Sequence, residues 1–325
     1  MARDGLKVVM GPAPSRGVAL MLGGVVTLLW ATSVVLIRLG LTEEDVNPVG
    51  FAGVRFTLAA LMLLPLALPR LRAVRVWSAA GLSLLGVAVY GLLMFCVGQI
   101  GFYVALGELS AATVGLLLGL APVVTAAVTM RSRHERASPL QLVGIAVLIA
   151  GVIVYFGLEL PEVGLSLALL AAIAIPFVVG GSARLGRYLA LDARRVFGGP
   201  LALTALAMTV GGVATLVIGL VFEGVPSFSL RAWLLIVWLA AVNTALTYTL
   251  WTQVQRTLRA VEASALGDLT VILVAILGWL VLDESLDLVR IVGLLLAVGG
   301  VFLVQLAPVW RGRTAAKDLP QAPLG

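Results

Sequence analysis

Residues Ala111–Phe156, AATVGLLLGLAPVVTAAVTMRSRHERASPLQLVGIAVLIAGVIVYF, align without a gap on Ala260–Gln305, AVEASALGDLTVILVAILGWLVLDESLDLVRIVGLLLAVGGVFLVQ, at an offset of 149 residues. Nine of the 46 positions are identical, which alone says little in apolar sequence. The placement of the matches says more: Glu135 falls on Glu284, Gly144 on Gly293, Gly151 on Gly300 and Val152 on Val301, each at the same distance from the end of an apolar run. A shift of 146 also sets Arg38-Leu39-Gly40 on Arg184-Leu185-Gly186. The chain is therefore read as a duplication.

Working outward, each copy divides into five apolar runs. A helix crossing about 30 Å of hydrocarbon needs roughly 20 mostly apolar residues. The first copy offers Gly17–Ile37, Pro48–Leu68, Trp77–Leu106, Ser110–Met130 and Pro139–Gly157. The second offers Gly164–Ala183, Pro200–Phe222, Leu230–Gln253, Val261–Leu282 and Leu288–Ala307. Five is odd, so the second copy enters the bilayer in the reverse direction. The fold class expected is an all-α polytopic membrane protein of ten transmembrane helices, a 5+5 inverted-topology repeat. Connections are short, the longest being Arg184–Gly199, and leave no room for a separate soluble domain.

Composition agrees. Of 325 residues, 61% are hydrophobic and 12% charged, with a mean hydropathy of +1.11, against roughly 45–50% and 25% for soluble domains. The surplus apolar surface must face lipid. One cysteine, Cys96, and one histidine, His134, exclude a disulfide framework and a Cys- or His-rich metal cluster within one chain. The net charge of +6 comes from basic clusters between apolar runs, the pattern of membrane topology rather than of nucleic-acid binding. With the N-terminus inside, 18 of the 22 Lys and Arg residues fall in cytoplasmic segments, all but Arg38, Arg55, Arg231 and Arg290. The opposite loops are acidic, with Glu43, Glu44, Asp45, Glu108, Glu159, Glu162, Glu223, Asp283, Glu284 and Asp287. Both termini are expected in the cytoplasm, in a multi-pass cell (plasma or inner) membrane protein.

These residues resemble the EamA-like ten-helix branch of the drug/metabolite transporter superfamily, from Trp30 to Ala307. The carriers are Trp30, Arg55 within Gly-Val-Arg-Phe, the run Leu120-Ala-Pro122-Val-Val with Glu135, and Gly144, Gly151, Glu284, Gly293 and Gly300. Val271 departs from the pattern, standing where the counterpart of Pro122 is expected, so the resemblance does not carry a bend from the fourth span to the ninth. The organisation read this way is a tail at 1–16, EamA-like five-helix repeats at 17–157 and 164–308, and a tail at 309–325. The resemblance implies export or exchange of small metabolites, including amino acids and drugs, without naming the substrate.

Polarity singles out a few side chains. In the eighth span Thr244, Tyr248 and Thr252 form one stripe and Asn243, Thr247 and Trp251 the next. At the 149 offset the first stripe corresponds to Phe95, Gln99 and Tyr103 of the third span. Paired stripes suit facing cavity walls; the plainer alternative is threonines bonded to their own helix and aromatics packed in the core. Arg55 and Asp268 lie seven residues beyond Pro48 and Val261, about 10 Å deep at 1.5 Å per residue. A charge at such depth costs roughly 2.5–3.5 kcal/mol and must face protein or water. Arg55 could bind a carboxylate or phosphate, or tether helices. Asp268 could carry a coupling proton, bind a substrate ammonium, or be a structural group bonded to Ser264. Pro176 is a hinge candidate. Gly144, Gly151, Gly293 and Gly300 mark the fifth and tenth spans as scaffold or protomer-contact helices, and Glu135, Glu284 and His134 are read as loop residues.

The function expected is secondary transport of a small organic solute by alternating access, with proton or counter-substrate coupling and a homodimer both open. No phosphate-binding Gly-rich loop, intramembrane His or paired aspartates are present, so no cofactor, no enzyme activity and no nucleic-acid partner are expected. A nucleotide-sugar or phosphate-ester exchanger and a non-transporting scaffold are the alternatives.

Overall fold

The computed structural model describes residues 13–43, 46–73, 81–109, 114, 117–119, 121–129, 137–156, 166–282 and 288–317. The helices in chain order are α1 (Arg16–Glu43), α2 (Pro48–Ala73), α3 (Gly81–Leu92), α4 (Gly98–Glu108), α5 (Ala121–Thr129), α6 (Pro139–Phe156), α7 (Leu167–Phe197), α8 (Pro200–Phe222), α9 (Leu230–Ala240), α10 (Thr247–Thr257), α11 (Ala260–Gly267), α12 (Leu269–Leu282) and α13 (Leu288–Lys317). π-helical turns at Leu93–Val97 and Ala241–Leu246 join α3 to α4 and α9 to α10. There is no strand among the described residues.

Among the described residues six segments are long and apolar enough to cross a membrane: Arg16–Leu41, Pro48–Arg72, Leu84–Glu108, Leu167–Ala193, Pro200–Phe222 and Leu230–Thr257. Pro139–Tyr155 and Leu288–Val304 are shorter apolar helices. Their outer faces carry exposed Met21, Leu61, Phe177, Val221, Trp238 and Phe302, which in water would be an unusually large apolar surface and in lipid is the natural one. Helix starts are fixed locally. Ser138 and Gln141 form a capping box at α6, each side chain accepting from the other's backbone N–H at 3.1 and 2.9 Å. Ser166 and Ser229 cap α7 and α9 through Leu169 N and Ala232 N.

Close backbone approach fixes the packing. α2 lies along α8, and α6 along α13. A Cβ on Gly53 would stand 2.5 Å from Leu216 Cα, and one on Gly211 would stand 2.2 Å from Gly91 O. Gly144 and Gly151 face Gly300, Ala297 and Gly293 in the same way. The glycine faces of α6 and α13 are thus packed against each other within one chain, which is the scaffold use.

Other close pairings include α1 with α10 and α12, and α7 with α4 and α5. Exchanging each helix for the one about 149 residues away leaves this set unchanged. One bond recurs in detail. Arg38 Nη1 donates to Leu109 O at 3.2 Å, and Arg187 Nη1 donates to Leu258 O. Leu109 and Leu258 are both extended residues that end α4 and α10. Arg38 therefore corresponds to Arg187, at 149, and not to Arg184 as the letter match at 146 suggested; what matters is which guanidinium reaches the last helical carbonyl.

Two expectations about connections change. Arg184–Gly199 is largely helix, because α7 runs on to Phe197 and stops at Gly198, whose φ of 76° ends it in the left-handed region. Its buried residues Ser182, Leu189, Ala190, Ala193 and Phe197 keep a helical stripe against the bundle. The run expected as a ninth span is broken without a proline: α11 and α12 meet in a turn at Asp268, and a turn also stands at Gly119, 149 residues earlier. Gly267-Asp268, both turn-forming types, supplies the break. Pro176 lies inside α7, which continues through it. Glu135, Glu284 and His134 lie outside the described residues.

Candidate functional site

The two π-helical turns prepare the site. A π turn spaces backbone partners by five residues and leaves nearby carbonyls to other donors. Around Ala241–Leu246, Thr244 Oγ1 donates to Leu239 O at 2.7 Å and Thr247 Oγ1 to Val242 O at 2.8 Å. Around Leu93–Val97, Gln99 Nε2 donates to Met94 O at 3.3 Å and Thr215 Oγ1 to Phe95 O at 2.8 Å. Thr249 and Thr252 likewise bond Ala245 O and Tyr248 O. Thr244 and Thr247 thus donate within their own segment, and Thr252 Oγ1 also lies 2.9 Å from Thr204 Oγ1 of α8.

Arg55 sits against the second of these turns. Its Nε donates to Thr244 Oγ1 at 2.7 Å, Nη1 to Tyr103 OH at 2.9 Å, and Nη2 to Ser33 Oγ at 2.9 Å and to Asn243 O at 3.4 Å. The side chain is buried, and its guanidinium carbon lies over the Phe56 ring, 5.2 Å from the centroid. Every acceptor is neutral. Asn243 in turn donates to Leu29 O and Thr32 Oγ1 at 2.6 and 3.0 Å, tying α1 to the second π turn.

Beside it lies a cavity of about 180 Å³. Trp30, Val34 and Ile37 of α1, Arg55 and Phe56 of α2, Gln99 and Phe102 of α4, Ile175 and Val179 of α7, Tyr248 and Trp251 of α10, and Ser264, Asp268 and Thr270 around the broken span all contribute to its wall. Both halves of the chain line it. Gln99 and Tyr248, 149 residues apart, touch at 3.4 Å. Trp30 packs on Tyr248 and Trp251 with ring centroids 5.3 and 4.9 Å apart, and Phe95 on Tyr248 at 4.8 Å. Apolar walls with a few convergent polar groups are the general form of a small-molecule site.

Of the residues singled out by sequence, Arg55, Gln99, Tyr248, Trp251 and Asp268 line the cavity. Tyr103, Asn243 and Thr244 hold Arg55 from behind. Thr247 is buried and bonds only along its own helix. Pro176 sits between the wall residues Ile175 and Val179. Sequence reasoning did not place Trp30, Ser33, Phe56, Phe102, Ser264 or Thr270 at a site. A signal existed for the first two, because Trp30, Ser33, Val34 and Ile37 follow the i, i+3, i+4, i+7 spacing of one helix face.

Polar contacts cross-link one end of the bundle. Arg16 Nη1 pairs with Glu262 Oε2 at 3.1 Å, Arg259 Nε with Glu262 Oε1 at 3.5 Å, and Arg259 Nη2 donates to Gln141 Oε1 at 2.7 Å. Thr257 Oγ1 donates to Pro14 O at 2.8 Å. These contacts join the start of α1 and of α6 to the α10–α11 corner. Among the described residues no group of three or more His, Cys, Asp or Glu comes together as a metal site would require.

Thr244→Val tests how Arg55 is held. The change keeps volume and removes the Nε acceptor; a hydrogen bond to a charged group contributes about 1.5–3 kcal/mol. Solute affinity or flux should fall about tenfold or more. Unchanged affinity and flux would show that the other three acceptors position the guanidinium.

A family model described as the EamA-like transporter family matches residues 15–157 and again 164–306. No curated protein matches the chain. Among solved structures, one titled only "Crystal structure of protein" superimposes with a TM-score of 0.73, covering 92% of this chain and 99% of its own, at 20% identity. That likeness concerns the fold.

Proposed function

Since the chain belongs to the EamA-like transporter family, of the drug/metabolite transporter superfamily, and is a multi-pass membrane protein, we propose that it is a secondary carrier exporting small organic solutes such as amino acids or drug-like amines across the cell membrane by alternating access. The observation that carries this reading is the placement of the cavity: both halves wall it, and Gln99 and Tyr248, repeat mates at the 149 offset, meet beside it. Two five-helix units of opposite orientation have two nearly equivalent pairings, one open to each side. The twice-matched family model, the self-mapping helix pairings and the recurring Arg38–Leu109 and Arg187–Leu258 bonds support ten spans in an inverted repeat. A nucleotide-sugar or phosphate-ester exchanger is the weaker reading, because Arg55 alone among the lining residues is cationic.

Reconstitution in liposomes tests the proposal. Efflux of the cargo should saturate and be stimulated by solute on the opposite side; flux that rises linearly with concentration and ignores the opposite side would remove the carrier reading. The topology has its own check. In a Cys96→Ser background, single cysteines at 131 and 256 should label from the same side of the membrane, the cytoplasmic one. Labelling from opposite sides would overturn the inverted repeat.

A further inference from the structure

We propose that the lipid-facing side of α7 carries a site for an anionic phospholipid, with the Arg184 guanidinium taking the headgroup phosphate and Tyr188 lying beside it at the membrane boundary.

Exposure traces the outward face of α7. Leu170, Ile173 and Phe177 are 54%, 41% and 60% exposed, and further along Tyr188 and Leu191 are 59% and 51%. These positions recur at the three- and four-residue steps of one helix face. Gly181, between the two groups, has nothing within 4 Å of where a Cβ would stand, so the face is open there too. Arg184 is exposed on this same face, a cation in a stripe whose other side chains suit hydrocarbon. Counted from Leu167, where the helix begins, it lies about 25 Å along the axis at 1.5 Å per residue, short of the roughly 30 Å that hydrocarbon spans. Tyr188, one turn further, reaches the depth at which tyrosine rings gather between acyl chains and headgroups.

A guanidinium at that depth needs a partner, and the described part of the protein supplies none: among the described residues Arg184 has no hydrogen bond or ion pair. Arg187, one turn on, is used inside the bundle, where its Nη1 donates to Gln255 O at 2.7 Å and to Leu258 O. Two arginines three residues apart thus serve opposite sides of the helix, one bolting α7 to the end of α10 and the other facing out. A charge at the edge of hydrocarbon is costly unless its long stem carries it to the phosphates, and a guanidinium meets a phosphate with two parallel N–H bonds. Surrounding charge selects the kind of lipid. From Arg184 to Gly199 the chain has four arginines and one acid, Asp192, so a headgroup bringing its own ammonium or choline is repelled where one with phosphate alone is drawn in. Arg72 differs: it too is exposed, but it stands one residue before the end of α2, at a helix end rather than within an apolar stripe.

Binding of this kind is independent of the carrier reading and is measured on the purified full chain in detergent. The probes are dioleoylphosphatidylglycerol, dioleoylphosphatidylcholine and soluble glycerol 3-phosphate. A ligand stabilises the state it binds, so phosphatidylglycerol should raise the melting temperature at concentrations about tenfold below phosphatidylcholine, and glycerol 3-phosphate should leave it unchanged. Arg184→Gln should remove most of this preference and Arg72→Gln should retain it. Equal stabilisation by the two lipids, or a full preference surviving in Arg184→Gln, overturns the site. So does a loss in Arg72→Gln as large as in Arg184→Gln, which would mean a diffuse basic surface, or stabilisation by glycerol 3-phosphate matching the lipid, which would mean a free-phosphate site. Native mass spectrometry of the wild type needs no variant: from an equimolar mixture phosphatidylglycerol should remain as a discrete adduct, and retention of both lipids alike would overturn the assignment.

Discussion

Replacing Gly151 by leucine is expected to cost about 3 kcal/mol or more and to leave little folded protein. A Cβ there would stand 2.3 Å from Ala297 N and 2.6 Å from Gly293 O. Both are backbone atoms, so no side chain can swing away; α6 and α13 have to separate along their length. Overpacking typically costs 1–3 kcal/mol where rotamers can adjust, and here they cannot. Gly300→Leu strikes the same crossing, 2.4 Å from Leu148 N. The double variant should therefore be less than additive, since once the helices part the second leucine meets nothing new. Gly299→Ala is the control: nothing lies within 4 Å of its Cβ, and the change should stay within about 0.5 kcal/mol. Thermal melting of detergent-solubilised protein, followed by size-exclusion, checks all three. A Gly151→Leu protein that melts like wild type would mean that the two helices do not touch there.

The second large effect concerns the end of the bundle held by the Arg16–Glu262–Arg259 cluster. Glu262 is 2% exposed at its side chain and Arg16 is 33%. Removing one partner of a buried pair costs about 3–5 kcal/mol, and the exposure of Arg16 argues for the lower figure. Glu262→Gln should then weaken this closure by about 3 kcal/mol, a shift of roughly 100-fold in the ratio of closed to open. In a Cys96→Ser background, Ser264→Cys on the cavity wall should react much faster with a membrane-impermeant thiol reagent applied from that side once Glu262 is neutralised. Equal labelling rates with and without Glu262→Gln would show that the Arg16–Glu262–Arg259 cluster is not what keeps the end shut.

Much of the architecture was open to reading in advance because lipid imposes a simple rule on length and polarity. The apolar runs follow from it, and the glycine pairs at seven-residue spacing mark where α6 and α13 meet. The partial errors arose where tertiary context decides. α7 extends past Ala183 because a buried stripe through Phe197 packs on the bundle, and no composition signal distinguishes that from a basic connection. The register of the first and sixth spans was matched on the letters Arg-Leu-Gly, whereas the Arg187–Leu258 bond depends on reach. At the site, depth identified Arg55 and Asp268, and periodicity identified Tyr248 and Trp251. Neither reveals a π turn, because one extra residue per turn leaves no mark in an apolar sequence. The neutral cage around Arg55 was hidden for the same reason: Thr244 and Asn243 are delivered to it by that turn.

The indoles of Trp30 and Trp251, 4.9 Å between ring centroids, are close enough to exchange electronic excitation. Their coupled absorption depends on mutual angle and on what sits against their faces, so the pair is an intrinsic optical reporter on the cavity it walls. Near-ultraviolet circular dichroism can follow loading in unlabelled protein, and Trp251→Phe, which dissolves the pair, supplies the blank.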